Sequence, residues 1–291
     1  MRTVANNFRD VERYVLDHYY PHLSKSRDQN VRSLFRRRFH AAPWYNMPLA
    51  RITSQEIAGW YNSIKAKHPQ EANHCLATFR VCWKQAQIGG LIHEWQLAPG
   101  RLLKKTPAIS RARFVTTEEM PRLNAAIDAT HAPLRCFLTL LLETACRTGE
   151  LLAAQWPDFD LDRGLWHKPT TKNGQPHTVP LSARALLALH SLDRTTAKPC
   201  PYSKPWYQIR WMELRQLCGL ADVTFHDLRR TKATWEAAAG MPLPELQRLL
   251  GHKSYISTQP YMRQFANLAP LRDAMERTSA AMMERKAVGM G

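Results

Sequence analysis

The sequence predicts a mainly α fold with a small antiparallel sheet, an α+β chain built from two domains. Three observations predict it. Apolar residues recur with helical spacing through the first hundred residues, a basic stretch with Pro and Gly follows at 98–113, and a short segment of alternating residues interrupts a second helical region. We therefore expect an N-terminal helical domain over 1–110, a linker at about 98–113, and a mixed domain over 111–291.

The first domain is predicted to be a small helical bundle. Helical patterns cover four stretches of it: 8–20, 26–40, 53–67 and 69–88. Gly89 and Gly90 end the last of these helices, since glycine readily takes the conformation that terminates a helix. Four aromatic residues are available for packing: Trp44, Tyr45, Trp60 and Trp83.

The second domain is predicted to combine helices with one sheet. Thr116 and Glu119 match a capping box that starts a helix. Beyond residue 152, short alternating runs and an Asn173-Gly174 turn predict a small antiparallel sheet. Ser182 then caps a helix that reaches about residue 192. Further helical patterns follow at 203–218, 227–239, 244–250 and 267–286.

The charge of the chain favours a polyanionic partner. The formal net charge is +17, and residues 1–113 carry 19 Lys and Arg against 7 Asp and Glu. Lys and Arg that displace counterions from phosphates supply most non-specific affinity for nucleic acids, so a nucleic acid is the natural partner. A solvated basic surface without a partner is the alternative.

Several classes of protein are not expected. The six cysteines form no C-x-x-C pair, which argues against a zinc site and a disulfide scaffold. Asp158, Asp160 and Asp162 do not match a calcium loop, so no metal is expected. The first residues carry no apolar signal segment, and no run approaches about 18 apolar residues, so we expect a cytoplasmic, nucleoid-associated protein without membrane contact.

The residues that indicate chemistry lie mostly near the C-terminus. His226 and Arg229 share one face of a predicted helix, and His252 follows Leu-Leu-Gly. Tyr261 lies nine residues beyond His252, and Arg147 lies upstream in T-A-C-R-T-G-E-L. Guanidinium groups can hold a phosphate bidentately, imidazoles can move protons, and a phenol can attack phosphorus. The set predicts a phosphodiester substrate, although each residue alone has an ordinary structural explanation.

Together these motifs resemble the tyrosine recombinase (phage integrase) family. T-A-C-R-T-G-E-L, a lysine in a β-hairpin, H-D-L-R-R-T, L-G-H and T-x-x-Y occur in the family's order. The resemblance is strong over about 112–270. It is weaker over 8–110, where M-P-L-A-R-I-T and A-Q-I-G-G-L-I are similar to the core-binding region of prophage and genomic-island integrases. We expect no additional N-terminal arm-binding domain, because the chain begins almost directly at the core-binding helices.

The resemblance implies six catalytic residues: Arg147, Lys172, His226, Arg229, His252 and Tyr261. The two arginines would grip the scissile phosphate, and the two histidines would assist proton transfer. Lys172, in T-T-K-N-G, would be the general acid for the departing 5′ oxygen, with Lys168 as its near rival. Tyr261 would be the nucleophile, with Tyr255 as its competitor.

The implied reaction is transesterification. The tyrosine would form a 3′-phosphotyrosyl bond and free a 5′ hydroxyl, which keeps the bond energy and requires no cofactor. Glu150, one turn beyond Arg147, would orient an arginine or His226 rather than react. The implied function is site-specific recombination for integration or excision of a mobile element. A homotetramer assembled on two DNA sites from free monomers would act through a Holliday junction.

Double-stranded DNA is the implied partner, and an accessory DNA-bending or directionality protein is a further one. Basic residues throughout the chain are candidates for contacting DNA: Arg36, Arg37, Arg38, Lys65, Lys67, Arg80, Lys84, Lys104, Lys105, Arg111, Arg113 and Arg230. The helix predicted at 267–286 would either be exchanged between protomers or pack on its own domain.

Two other functions stay open at this point. A type IB topoisomerase shares the catalytic set and relaxes supercoils without choosing a sequence. A non-catalytic DNA-binding protein would occupy sites or direct excision without forming a covalent bond. Plasmid relaxation separates the first from a recombinase, and covalent trapping on nicked DNA separates the second.

Overall fold

The computed structural model describes residues 4–107, 112–169, 176–264 and 275–276. The chain divides into two units, Met1–Ser110 and Arg111–Gly291. Helices dominate both units, and a three-stranded antiparallel sheet lies in the second. The predicted fold class, mainly α with a small antiparallel sheet, is confirmed.

The described part of unit 1 contains four α-helices: α1 (Phe8–His18), α2 (Lys25–Leu34), α3 (Ser54–Lys65) and α4 (Pro69–Ile88). Two of them begin with capping boxes, Asn7 with Asp10 for α1 and Thr53 with Glu56 for α3. In each box the two side chains satisfy backbone N–H groups that the first turn leaves without helical partners. Three of these helices agree with the prediction to within two residues, whereas the helix predicted over 26–40 ends as an α-helix at Leu34.

An aromatic cluster fills unit 1. Phe8 of α1 stacks on Phe79 of α4 with ring centroids 5.1 Å apart, and Trp44 meets Phe8 edge to face at 5.1 Å. Trp60 of α3 meets Trp44 edge to face at 5.0 Å. A π-helical turn, Phe35–Phe39, extends α2 into the same cluster. Burial of each large apolar ring stabilises the unit by on the order of 2–3 kcal/mol.

Unit 2 is built around a buried helix. Its described helices are α5 (Met120–Asp128), α6 (Ala132–Thr144), α7 (Thr148–Ala153), α8 (Ala183–His190), α9 (Lys204–Leu217), α10 (Phe225–Ala238), α11 (Leu243–Leu250) and α12 (Gln259–Gln264). The apolar run of α6 is almost fully buried and packs against α5, α8 and α10. Since α6 ends beside α7 and packs on α10, it fixes two of the segments that carry candidate site residues.

The sheet consists of β1 (Phe159–Asp160), β2 (Leu165–Lys168) and β3 (His177–Pro180), paired antiparallel in that order. The register of β2 and β3 places Lys168 opposite His177. The predicted Asn173-Gly174 turn lies outside the described residues.

One helix begins later than predicted. Glu119 accepts the backbone N–H of Thr116 at 3.0 Å, as a capping box requires, but residues 117–119 form a turn and α5 starts at Met120. The carboxylate of Glu119 also binds Arg113 at 2.7 Å, which holds the chain ahead of the helix. The helix predicted at 267–286 lies outside the described residues except for 275–276. None of the helices in the described ranges has the length and apolar character needed to cross a membrane.

Candidate active site

A sharp reversal between α6 and α7 positions Arg147. α6 ends at Thr144 and is followed by Ala145, a non-glycine residue in the left-handed conformation (φ 49°). Arg147 is then the N-cap residue of α7. That conformation costs an alanine about 1–2 kcal/mol. It turns the fully buried carbonyl of Ala145 toward α10, where the guanidinium of Arg229 donates to it. The strained turn therefore links the two arginines of the predicted site.

Glu150 binds both Arg147 and a buried lysine. One carboxylate oxygen accepts a hydrogen bond from Nη1 of Arg147 at 2.7 Å, and the other lies 3.2 Å from Nζ of Lys168. Burial alone would raise the pKa of Glu150, but Lys168 and Arg147 outweigh it and lower that pKa. Because the side chains of Lys168 and Glu150 are 3% and 8% exposed, this ion pair holds Arg147 from inside the protein.

Arg229 is a buried cation whose partners are uncharged. It is 3% exposed on α10. Nη1 donates to the carbonyl of Ala145 at 2.5 Å, while Nη2 donates to the carbonyl of Leu250 at 2.7 Å and to Nε2 of His252 at 3.0 Å. Burial and the neighbouring Arg147 lower the pKa of Arg229, although a guanidinium still stays protonated. In the described part of the chain Arg229 forms no ion pair, so a negative charge placed beside it would be strongly stabilised.

His252 follows the C-terminal end of α11 and lies among the cations. Its Nε2 meets Arg229, and its Nδ1 lies 2.9 Å from Oγ1 of Thr258. Burial, together with Arg229 and Arg147, lowers the pKa of His252 to about 4. The ring is therefore neutral near pH 7.

His226 lies in the first turn of α10, which begins with a capping box of Thr224 and Asp227. Its side chain is exposed at the residue level, yet the desolvation of its ring, followed by Arg229 and Arg230, lowers its pKa. His226 and Arg229 are three residues apart on α10 and lie within electrostatic range of each other. The predicted pair on one helix face is thus a buried arginine with a more accessible histidine.

Tyr261 belongs to the same cluster. It lies on α12, is 9% exposed and packs with an apolar group: Ala145, Ala233, Ala237, Leu246 and Leu250. Its phenol lies within electrostatic range of Arg229, where it acts to raise the pKa of that guanidinium. Tyr255, the competitor, lies in a 3-10 turn and is 56% exposed. The structure therefore groups Tyr261, rather than Tyr255, with the buried arginine.

Lys168 is the lysine that the described residues bring into the site. Lys172, the predicted general acid, lies outside the described residues. Nζ of Lys168 lies 4.3 Å from the centroid of the Trp166 ring and forms the ion pair with Glu150. From the sequence Lys168 was only the rival of Lys172. Its burial could not be predicted, because the alternation of such a short strand does not say which face is covered.

His177 is a residue that the sequence did not indicate. It begins β3, and its Nε2 donates to the carbonyl of Arg248 at 2.5 Å. The ring also lies against Gly251, since a Cβ on that glycine would be 3.1 Å from Nδ1 of His177. Gly251 has φ +59° and directly precedes His252. The β2–β3 hairpin thus holds the turn that carries His252, a contact that no local motif signals.

The cluster takes its positive charge from its own side chains. Arg147, Lys168 and Arg229 are cations, and Glu150 contributes one negative charge beside them. Throughout the described ranges, no group of three or more His, Cys, Asp or Glu is arranged to hold a metal ion. The arrangement can stabilise an anion and move protons at the two imidazoles.

Most residues predicted to contact DNA are exposed: Arg36, Arg37, Lys65, Lys67, Lys84, Lys104 and Lys105. Others bond within the protein. Arg38 binds Glu71 at 2.5 Å, and Arg80 donates to three backbone carbonyls beyond α4. Arg113 binds two carboxylates, one of them that of Glu119. Arg230 is partly buried next to His226, and position 111 lies outside the described residues.

Known proteins are similar to this chain in both sequence and fold. The model of the phage integrase family matches residues 113–267, more than half of the chain. A shufflon-specific DNA recombinase of Escherichia coli is 33% identical over 159 residues, which are 54% of this chain and 41% of that protein. The integrase of Salmonella phage P22 is 26% identical over 224 residues, 69% of this chain and 56% of that protein. The chain spans about half the length of these curated relatives.

Solved structures agree with the fold over nearly the whole chain. A lambda integrase dimer bound to a COC′ core site matches with a TM-score of 0.73 and 20% identity, covering 89% of this chain and 78% of that one. The Tn1549 transposon integrase in complex with a circular intermediate DNA matches with a TM-score of 0.73 and 16% identity, covering 94% and 100%. At such identities these matches establish the fold. The family match over 113–267 establishes more, and this chain belongs to the phage integrase family, the tyrosine recombinases that its motifs resemble.

Proposed function

We propose that this chain is a site-specific DNA recombinase that cleaves and rejoins DNA through a 3′-phosphotyrosyl intermediate. The observation that carries the proposal is the convergence of residues from three elements on one buried guanidinium that belongs to a fourth. Arg147 from the cap of α7, His252 after α11 and Tyr261 on α12 all lie within electrostatic range of Arg229 on α10. A preorganised group of cations stabilises the charge that develops on a phosphate under attack.

The two arginines would bind the non-bridging oxygens of the scissile phosphate. A guanidinium presents parallel N–H donors that match two oxygens of a phosphate. Arg147 is held by Glu150 and remains 28% exposed, so its other donors are accessible to DNA. The buried Arg229 would gain the anionic partner that its uncharged protein contacts do not supply.

Chemistry would begin with the phenol of Tyr261. Its oxygen attacks phosphorus, the bond from phosphorus to the 5′ oxygen breaks, and a 3′-phosphotyrosyl ester remains. When the phosphate takes the Nη2 donor of Arg229, Nε2 of His252 is released and its lone pair can take the phenolic proton. An anionic phosphate beside the ring would also raise its low pKa toward the usual range. The departing 5′ oxygen needs a proton, which we assign to Lys172. The free hydroxyl of another strand then reverses these steps.

DNA would be held mainly by the basic residues of unit 1 and the linker. The exposed side chains of Lys65, Lys84 and Lys104 support this role. A lambda integrase tetramer bound to a Holliday junction matches this chain with a TM-score of 0.72 and 21% identity, covering 88% of this chain and 77% of that one. That match supports a homotetramer on DNA, and the names of the relatives support integration or excision of a mobile element. We place the reaction in the cytoplasm, on nucleoid DNA.

The test uses a nicked suicide duplex built from the DNA that flanks the gene. The wild-type chain should form a covalent adduct, and the Tyr261→Phe protein should lose it while still shifting the duplex in a gel. The Tyr255→Phe protein is the matched control and should form the adduct normally. An adduct formed by Tyr261→Phe would overturn the proposed nucleophile. Relaxation of a plasmid lacking the site, by a monomer, would indicate a topoisomerase instead.

A further inference from the structure

Thr258 is a buried polar residue between the two reactive groups of the site. It is 0% exposed, and its Oγ1 lies 2.9 Å from Nδ1 of His252. In the sequence it is the first residue of the motif T-x-x-Y, in which the tyrosine is the predicted nucleophile. Its hydroxyl is therefore placed on the histidine side of the site, three residues before the nucleophile.

The direction of this hydrogen bond follows from the neighbouring arginine. Arg229 has donors only, so Nε2 of His252, 3.0 Å from Nη2, must be the acceptor. A neutral imidazole carries one proton, which then lies on Nδ1. Nδ1–H therefore donates to Oγ1 of Thr258, while Nε2 accepts from Arg229. The contacts of the two nitrogens thus specify one tautomer.

The backbone of Thr258 also joins this histidine to the nucleophile. Thr258 directly precedes α12, and its carbonyl accepts the N–H of Tyr261 at 3.1 Å. Oγ1 on the same residue accepts from the imidazole. A displacement of Thr258 would therefore move the ring of His252 and the start of the helix that carries Tyr261 together.

We propose that Thr258 is a positioning residue for the reaction, an inference that rests on the function proposed above. Its hydroxyl accepts the Nδ1–H that the contact with Arg229 requires, and it thereby holds the ring with Nε2 toward Arg229 and the phosphate site. Its backbone places Tyr261 relative to that lone pair. Second hydrogen bonds of this kind set which imidazole nitrogen can accept a proton. Thr258 itself touches neither the substrate nor the reacting atoms.

The kinetic test compares Thr258→Val with Thr258→Ser on a suicide duplex at saturating protein. Valine keeps the shape but removes the acceptor, so cleavage should slow by about tenfold or more, with DNA affinity and the thermal midpoint close to wild type. Serine keeps the hydroxyl and should restore the rate. In a His252→Ala background the Thr258→Val change should add no further slowing, because its effect passes through the imidazole.

The second readout is the tautomer itself, measured without DNA. Chemical shifts of the imidazole nitrogens in protein with ¹⁵N-labelled histidine distinguish protonated from unprotonated Nδ1, and His252→Ala identifies the signals. Wild type and Thr258→Ser should show Nδ1–H, and Thr258→Val should shift the Nδ1 signal, because Arg229 still keeps the proton on Nδ1 but that proton has lost its acceptor. An Nε2–H tautomer in wild type, an Nδ1 signal that is the same in Thr258→Val as in wild type, or additive slowing with His252→Ala would overturn the inference. A wild-type chain that never forms an adduct would refute the proposed function but leave the tautomer result standing.

Discussion

Single residues of the site differ in how their buried charge is compensated. Lys168 and Glu150 neutralise each other, and their attraction offsets part of the cost of removing both from water. Arg229 has carbonyl and imidazole partners at Nη1 and Nη2 instead, and no carboxylate of the described residues forms an ion pair with it. The first arrangement supports structure. Under the proposed function, the second leaves Arg229 able to pair with a phosphate.

Replacing Arg229 with lysine tests whether the site needs the guanidinium geometry of this residue or only its positive charge. The Arg229→Lys protein keeps the positive charge but cannot reach the carbonyls of Ala145 and Leu250 and the ring of His252 at once. We expect cleavage of a suicide duplex to slow by about a hundredfold or more, with little change in DNA affinity. Cleavage at the wild-type rate would show that the fork geometry of this side chain is not needed.

Breaking the ion pair from either side should have unequal costs. Glu150→Gln leaves the buried ammonium of Lys168 without its counter-charge and should destabilise the fold by about 3 kcal/mol. Lys168→Met should cost less, because Glu150 keeps its bond to Arg147. Unfolding by urea measures both, and the double variant should recover part of the loss of Glu150→Gln. Equal losses in the two single variants would contradict this account.

At the scale of elements, turns rather than helix interiors assemble the site. Ala145 and Gly251 both take left-handed conformations, and each precedes a candidate catalytic residue by one or two positions. The first turn delivers a carbonyl to Arg229, and the second brings His252 back toward α10. The β2–β3 hairpin supports the second turn through His177.

Adding a methyl group to Gly251 should disturb this turn. Gly251→Ala imposes a left-handed conformation on alanine and brings its Cβ to 3.1 Å from Nδ1 of His177. We expect a loss of about 1–2 kcal/mol in unfolding free energy, and slower cleavage because His252 moves. Gly59→Ala is the control, since Gly59 is inside α3 with nothing within 4 Å of its added Cβ. That change should be neutral or stabilise by up to about 1 kcal/mol, and a larger loss there than at Gly251 would refute the reasoning.

Sequence reasoning predicted the elements well because their signals are local. Helical periodicity and capping residues identified α1, α3, α4 and α8 to α11 to within two residues, and α2 except for its C-terminal end. The same local signals misplaced the start of α5. The carboxylate of Glu119 binds Arg113 as well as the backbone N–H of Thr116, and α5 begins only after Glu119. The family motifs identified residues that the structure does bring together around Arg229. The contributions of Lys168 and His177 depend on strand register and burial, which are long-range properties that no short motif contains.

At the scale of the whole molecule, three histidines of unit 2 make the stability of the fold depend on pH. The pKa values of His177, His226 and His252 are all lowered, in each case first by loss of solvent and then by nearby cations. The folded chain therefore resists protonation at these rings, whereas the unfolded chain takes up protons below the usual histidine pKa of about 6.5. Acid should favour unfolding.

Because the pKa of His252 is lowered in the folded chain, the free energy of unfolding should fall as the pH falls. As pH falls from 7 to 5, the unfolded chain binds a proton at position 252 that the folded chain, with a pKa of about 4, still excludes. We expect His252 alone to remove about 1–2 kcal/mol of stability over this interval. Thermal or urea unfolding at both pH values measures the loss, and the His252→Asn protein should lose correspondingly less. Identical losses in both proteins would contradict the assigned environment of His252.

The most direct measurement of the central claim is the identity of the amino acid that becomes joined to DNA. After trapping on a suicide duplex, nuclease and trypsin should release the peptide 254–263 carrying a short nucleotide remnant, and fragmentation in a mass spectrometer locates the linkage. The account predicts a 3′-phosphoryl ester on Tyr261. A linkage on Tyr255, on a serine or threonine of this peptide, or to the 5′ end of the DNA would contradict it.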